Sequence, residues 1–139
     1  GIAAADFGAR GFALMGISAA RMHHVTPRAV GVAVVAAPRR RKTIELTDRR
    51  AAVRFLVRDL EVMDLELMET DLGRCLVTTP EQTLLDLSHR AGQRGLTEDV
   101  AAAMRALAPL CDPEELEVIA GRQRLGRALG RLRREGLVP

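Results

Sequence analysis

The sequence predicts an α+β fold, with a small mixed or antiparallel sheet in the N-terminal half packed against a C-terminal group of helices. Three observations predict it. Between residues 30 and 78 apolar side chains recur at every second position, the period of a strand, whereas from residue 79 onward they recur every third or fourth, the period of a helix. In the second half the helical runs open on Thr or Asp caps, two of them followed directly by proline, as helix starts do. The chain has 139 residues, 47% of them apolar and 28% charged. A domain of that size hides roughly 68% of the surface its unfolded chain exposes, so it needs no staples. A single domain, 1–139, is therefore expected, with a helical lead-in at 1–29, a strand-rich part at 30–78 and a helical part at 79–139.

The elements follow in order. Residues 1 to 11 (GIAAADFGARG) read as a helix tail and a glycine-bounded turn. Ser18 is placed to cap a short helix that stops before Pro27, since the residue before proline avoids helical geometry. AVGVAVVAA, beginning at Ala29, is β-branched and uncharged, a buried-strand pattern. KTIEL and AAVRFLVRD follow, separated by the turn-like cluster 47 to 50. In the latter, Val53, Phe55 and Val57 form an inward face and Arg54, Leu56 and Arg58 the opposite one. VMDLELMETD alternates Met63, Leu65 and Leu67 with Asp64, Glu66 and Met68, and RCLVTT is the last strand.

Helices then take over. Thr79 caps the first, with Pro80 at the first helical position and Gln82 three residues after the cap, the pattern of a capping box. Leu84, Leu87 and Ala91 make its stripe, Leu85 widens it, and Asp86 stands four residues before Arg90, a spacing that allows a pair. Gly92 and Gly95 bound its end. Thr97 caps the next helix, with a stripe of Val100, Met104 and Leu107. Asp112 caps another, with Pro113 and Glu115 repeating the first device. A last helix near 122 to 134 carries Leu125, Leu129 and Leu132 on one side and Arg122, Arg124, Arg127, Arg131, Arg133 and Arg134 elsewhere.

Composition excludes several function classes. Phe7, Phe12 and Phe55 are the only aromatic residues of the Phe, Tyr and Trp type, so there is no platform for stacking a single-stranded nucleic acid. Cys75 and Cys111 stand alone, too few and too far apart for a disulfide framework or a zinc site, and read as buried thiols in a reducing cytoplasm. No apolar run reaches 18 residues, so no membrane span is expected. The chain opens on Gly1 without a signal-peptide pattern and reads as a fragment of something longer.

Candidate sites are few. A hydroxyl nucleophile with a carboxylate base could be sought among Thr78, Thr79, Glu81 and Gln82, but helix capping accounts for every residue type there. His23 and His24 are neighbours, about 100° apart on a helix, and cannot chelate one metal as an i,i+4 pair would. Asp59, Glu61, Asp64, Glu66, Glu69 and Asp71 form an acidic run, read as a solvated strand face or, alternatively, as ligands of a metal-dependent nuclease using Asp64 and Glu66. Between Pro38 and Arg58 stand eight cations, Arg39, Arg40, Arg41, Lys42, Arg49, Arg50, Arg54 and Arg58, against Glu45 and Asp48. Such a cluster reads as a solvated loop or, as the rival, as a site of phosphate contact, where released counterions strengthen binding. Arg124, Arg127, Arg131 and Arg134 on the last helix suit a snorkelling surface, phosphate contact or a partner's acidic patch. No phosphate loop, nucleophile elbow or CxxC motif occurs, so neither metal nor cofactor is expected.

Three landmarks together resemble a known family: Gly16-Ile17-Ser18-Ala19-Ala20, then Pro27-Arg28-Ala29, then Val77-Thr78-Thr79-Pro80-Glu81-Gln82-Thr83 with Asp86 and Leu87 after it. They are similar to the C-terminal domain of AbiEi-type antitoxins of type IV toxin–antitoxin systems, over roughly residues 10 to 110. The resemblance implies a cytoplasmic, bacterial, non-enzymatic antitoxin domain that neutralises a nucleotidyltransferase-like toxin. It also implies that operator DNA is read mainly by a winged-helix domain, absent from this chain, with basic residues of the C-terminal domain supporting DNA binding and autorepression. No membrane and no small-molecule substrate are implied. The alternatives are the nuclease above and a dimerisation module of a transcriptional regulator that would use the leucine stripe of the last helix.

Overall fold

The structure is a computed structural model, and it describes residues 12–23, 32–38, 44–46, 51–70 and 73–139. Strand β1 (Ala13–Leu14) leads into helix α1 (Gly16–Met22). Strands β2 (Val32–Ala37), β3 (Ile44–Leu46), β4 (Ala51–Val57), β5 (Leu65–Thr70) and β6 (Gly73–Thr78) follow. Helices α2 (Pro80–Arg94), α3 (Glu98–Leu107), α4 (Pro113–Gln123) and α5 (Gly126–Arg134) complete the chain, with a 3₁₀ turn at Ala108–Leu110 after α3. The α+β class holds, with strands before and helices mostly after.

Among the described residues the strands form one mixed sheet in the order β3-β4-β2-β1-β6-β5. Its outer pairs, β3 with β4 and β5 with β6, are antiparallel neighbours in the chain. Inside, β2 runs parallel to β4, with Val35 opposite Phe55 and Ala36 opposite Leu56. The short β1 joins the two halves. It pairs antiparallel with β2 through Ala13 opposite Ala36, and parallel with β6 through Leu14 opposite Val77.

Both sheet faces are covered. On one, Phe12, Val35, Ala37, Cys75 and Val77 pack with Ala19 of α1, and the Phe12 and Phe55 rings meet at 5.8 Å and 60°. On the other, Ala13, Met15, Ala36 and Met63 gather with Leu56, Leu60, Leu65 and Leu76. Leu56 and Met68, expected on outward faces, are therefore packed. Val57 and Leu67, expected inward, are 56% and 55% exposed. A sheet covered on two sides weakens the inside–outside alternation that a one-sided sheet displays. The largest apolar cluster is helical. Leu84, Leu85 and Leu87 of α2 sit at its centre, against Met104 and Leu107 of α3, Leu116 and Ile119 of α4, and Leu129 and Leu132 of α5.

Three expectations about the helices need correction. Ser18 lies inside α1, and its hydroxyl accepts the Val34 amide at 2.7 Å, stitching α1 to β2. The helix expected near 122–134 is two helices. Arg124 takes a left-handed conformation (φ 57°, ψ 42°), and the Leu125 amide reaches back to Ala120 O at 2.8 Å, so Arg122 belongs to α4. Leu125, Leu129 and Leu132 are buried within the chain's own core, which removes that stripe from any dimer interface.

Candidate functional site

Thr79 caps α2 as expected, its hydroxyl oxygen accepting the Gln82 amide at 3.3 Å. The reciprocal half of a capping box is absent, because its donor and acceptor are engaged elsewhere. The Thr79 amide donates to Asp64 O at 3.1 Å. The Thr79 hydroxyl donates to Asp64 Oδ2 at 2.7 Å. Gln82 Oε1 accepts the Asp64 amide at 3.0 Å. The start of α2 is thus locked to the residue before β5. Asp64 serves that lock, and Glu66 lies 3.9 Å from the His23 ring, so the acids of the nuclease reading are engaged separately. Among the described residues no group of three or more His, Cys, Asp or Glu comes together to hold a metal.

Gln82 is fully buried and continues into a polar network. Its amide nitrogen donates to Asp86 Oδ1 at 3.0 Å and to Gln123 Oε1 at 2.9 Å. Arg58 donates to the same two oxygens, both at 3.1 Å. Gln123 returns a bond to Gln82 Oε1 at 2.6 Å and donates to Val62 O at 2.9 Å. One carboxylate, one guanidinium and two amides thereby tie α2, α4 and the end of β4. Asp86 pairs with Arg58 and not with the Arg90 that helical spacing suggested. Its Oδ2 is buried without a hydrogen-bond partner among the described residues. Burial raises its pKa above 3.8, outweighing the attraction of Arg58 and the bonds from Arg58 and Gln82.

Beside this network lies a cleft of about 690 Å³. Its floor is apolar, made by Met15, Ile17, Val34, Leu56, Leu87 and Leu125. Its polar lining mixes four arginines, Arg58, Arg90, Arg94 and Arg124, with two acids, Asp86 and Asp99, with the neutral Gln93, Thr97 and Gln123, and with His89. The exposure of Val57 is explained here, since it borders the cleft. The described lining contains no Ser, Cys or Lys, and its one threonine, Thr97, accepts the Val100 amide as the cap of α3.

The residues singled out by sequence fall in several places. Arg39, Arg40, Arg41, Lys42, Arg49 and Arg50 lie outside the described residues, and of Arg54 only the backbone, in β4, is described. Arg58 is turned into the network. Arg124 is exposed on the cleft and Arg127 and Arg134 are exposed on α5, whereas Arg131 is half-buried. A Cβ on Gly92 would lie 2.5 Å from the Arg131 guanidinium, so a larger residue there would make the end of this flexible side chain move aside. Neither Cys75 nor Cys111 is in a disulfide, and burial pushes the Cys111 thiol up to about 12, which keeps it unreactive. Sequence reasoning missed Gln123 and the cleft. The sequence carried no signal for the network, because helical spacing puts Gln82 and Asp86 opposite Leu84 and Leu87, on what reads as the outer side, whereas α2 is buried all round from Gln82 to Ser88.

A model of the AbiEi antitoxin C-terminal domain matches residues 12–134. No curated protein matches the chain. Among solved structures it is similar to an antigenic nucleotidyltransferase-like protein from Paracoccidioides brasiliensis, with 12% sequence identity, 96% of this chain and 85% of that chain covered, and a TM-score of 0.66. At that identity the likeness is one of fold.

Proposed function

The chain belongs to the family of AbiEi antitoxin C-terminal domains, and on that premise we propose that it is the effector domain of a type IV antitoxin. It neutralises a nucleotidyltransferase-like toxin without catalysing a reaction, and it acts as one domain in the bacterial cytoplasm. Joined to a winged-helix operator reader, it supports DNA binding and autorepression. The family match over residues 12–134 carries this reading. The interior polar groups agree with it. Thr79, Gln82, Asp64 and Asp86 join elements to one another, so they act as architecture.

Two surfaces divide the work. The phosphate contacts are Arg39, Arg40, Arg41, Lys42, Arg49, Arg50 and Arg54. Arg58 drops out of the earlier set because its guanidinium is held by Asp86 and Gln123. The toxin meets the exposed arginines at the other end of the chain, Arg124, Arg127 and Arg134.

Co-expression of the chain with the toxin encoded beside it, scored by growth, tests neutralisation. Rescue is expected, and loss of rescue on joint replacement of Arg127 and Arg134 by Ala. No rescue by the folded chain would refute the reading. Phosphate contact is tested in the protein fused to its operator reader. Each contact contributes about 0.9 to the slope of log affinity against log salt. Joint replacement of Arg39, Arg40 and Arg41 by Ala should therefore lower that slope by about 3. An unchanged slope removes these residues from the DNA surface.

A further inference from the structure

We propose that the outer side of β5 docks an extended segment of a partner protein as an added strand, and that this segment combines apolar residues with lysine or arginine. This reading goes beyond the antitoxin role and does not depend on it.

The backbone decides which groups are offered. Asp64 O accepts the Thr79 amide at 3.1 Å, and in the same register Leu65 stands opposite Thr78, Glu66 opposite Val77 and Leu67 opposite Leu76. Residue pairs of an antiparallel ladder alternate between bonded and non-bonded. Glu66 and Met68 therefore turn their amides and carbonyls toward β6, and Leu65, Leu67 and Glu69 turn theirs outward. Among the described residues no strand lies beyond β5 to take them. The other end of the described sheet is β3, which is only three residues long. In contrast β5 has six residues, LELMET, with no proline or lysine, and its register with β6 runs unbroken from Leu65 to Thr70. It thus lacks short length, proline, lysine and bulge, the usual devices that keep a strand from pairing.

The side chains select the occupant. Leu65, Leu67 and Glu69 share one face of β5, and Glu66 and Met68 share the other. Leu67 is 55% exposed, and Glu69 beside it is exposed too. On the opposite face Glu66 keeps 42% of its side chain exposed. Asp59 and Glu61, both exposed, stand on the approach to the strand. Arg74, opposite Glu69 on β6, is the one cation among the described residues of the two strands. Opposite charges across neighbouring strands attract and like charges repel. A strand that sets apolar side chains beside Leu65 and Leu67 and cations beside Glu66 and Glu69 matches both features. An acidic segment is repelled, and a second copy of β5 brings the same two glutamates to the contact.

Amide hydrogen exchange of the purified chain, read residue by residue by nuclear magnetic resonance, tests the assignment with a hexapeptide of alternating Lys and Val as probe. In the free chain the amides of Leu65, Leu67 and Glu69 should exchange fast and those of Glu66 and Met68 slowly. The peptide should slow the first three about tenfold or more and leave the other two unchanged. A hexapeptide of alternating Glu and Val should slow none of them. Leu67→Pro removes an outward amide and no bond to β6, a place where a strand accepts proline, and should weaken the Lys–Val peptide about tenfold or more in fluorescence anisotropy. Joint Glu66→Lys and Glu69→Lys replacement should reverse the preference, so that the Glu–Val peptide binds the more tightly. That pair leaves the β5 backbone unaltered and decides the matter if circular dichroism shows the proline variant unfolded. Slow exchange at Leu65, Leu67 and Glu69 in the free chain would overturn the proposal, because another part of the chain or a second copy would already hold that side. Peptide binding without protection of those three amides, equal affinities for the two peptides, or no saturable binding at millimolar Lys–Val peptide would overturn it equally.

Discussion

At the scale of single residues, Gln82 is the hinge of the structure. Its side chain bonds to Asp64, Asp86 and Gln123 while fully buried. Truncation leaves those groups without the buried amide that joins them. Gln82→Ala should cost about 3 kcal/mol, seen as a lower urea midpoint at unchanged m-value. Asp86 makes a pH-dependent contribution. Its folded pKa is raised by burial, so the fold binds its proton more tightly than the unfolded chain does. Its contribution is then full below the ordinary value of 3.8 and is lost as pH rises through the folded pKa. The stability of the parent protein minus that of Asp86→Asn should accordingly fall from pH 3 upward and then level off, in urea titrations at a series of pH values. Neither residue's role was legible in the sequence. A Thr-Pro-x-Gln pattern is fully explained by local capping, and the partner that makes Gln82 more than a cap, Gln123, lies 41 residues away.

Among the elements, the helical stripes were legible because they are local. Leu84, Leu87, Met104, Leu107, Leu129 and Leu132 are all buried where their spacing placed them. The caps were half legible. Thr79, Thr97 and Asp112 do accept amides from the first turns of their helices. The backbone amides of Thr79 and Asp112 were unreadable, because distant groups take them: Asp64 O accepts the first, and Glu81 of α2 accepts the second at 2.8 Å and so fastens the start of α4. The α4–α5 break was hidden for a different reason. A left-handed helix end normally announces itself with glycine, as Gly136 does after α5 at φ 74°, but here arginine occupies the position at φ 57°. Arg124→Gly should raise stability by about 1 kcal/mol and Gly136→Ala should lower it by a similar amount, both read from thermal melts. A fall in stability for Arg124→Gly would mean that its side chain holds more than the turn.

Across the whole molecule, a strand of two residues joins the halves of the sheet, and nothing in its composition marks it as a strand. It exists because β2 and β6 flank it. Ala13 is fully buried at that junction, so Ala13→Glu forces a carboxylate between two pairs of strands. A loss of about 4 kcal/mol or more is expected, with hydrogen exchange accelerating in β2 and β6 together. Loss of protection in β2 alone would show that the halves stand independently. The outermost strand carries a further consequence. β5 ends the sheet among the described residues, and an open strand edge is a template on which other chains polymerise. The exposed Leu67 makes that edge adhesive, while the exposed Glu69 beside it carries a charge that a growing fibril would have to bring into contact with copies of itself. The acidic run is thereby a gatekeeper, and replacing Glu69 with Val should turn a clear solution into one that sediments and binds thioflavin.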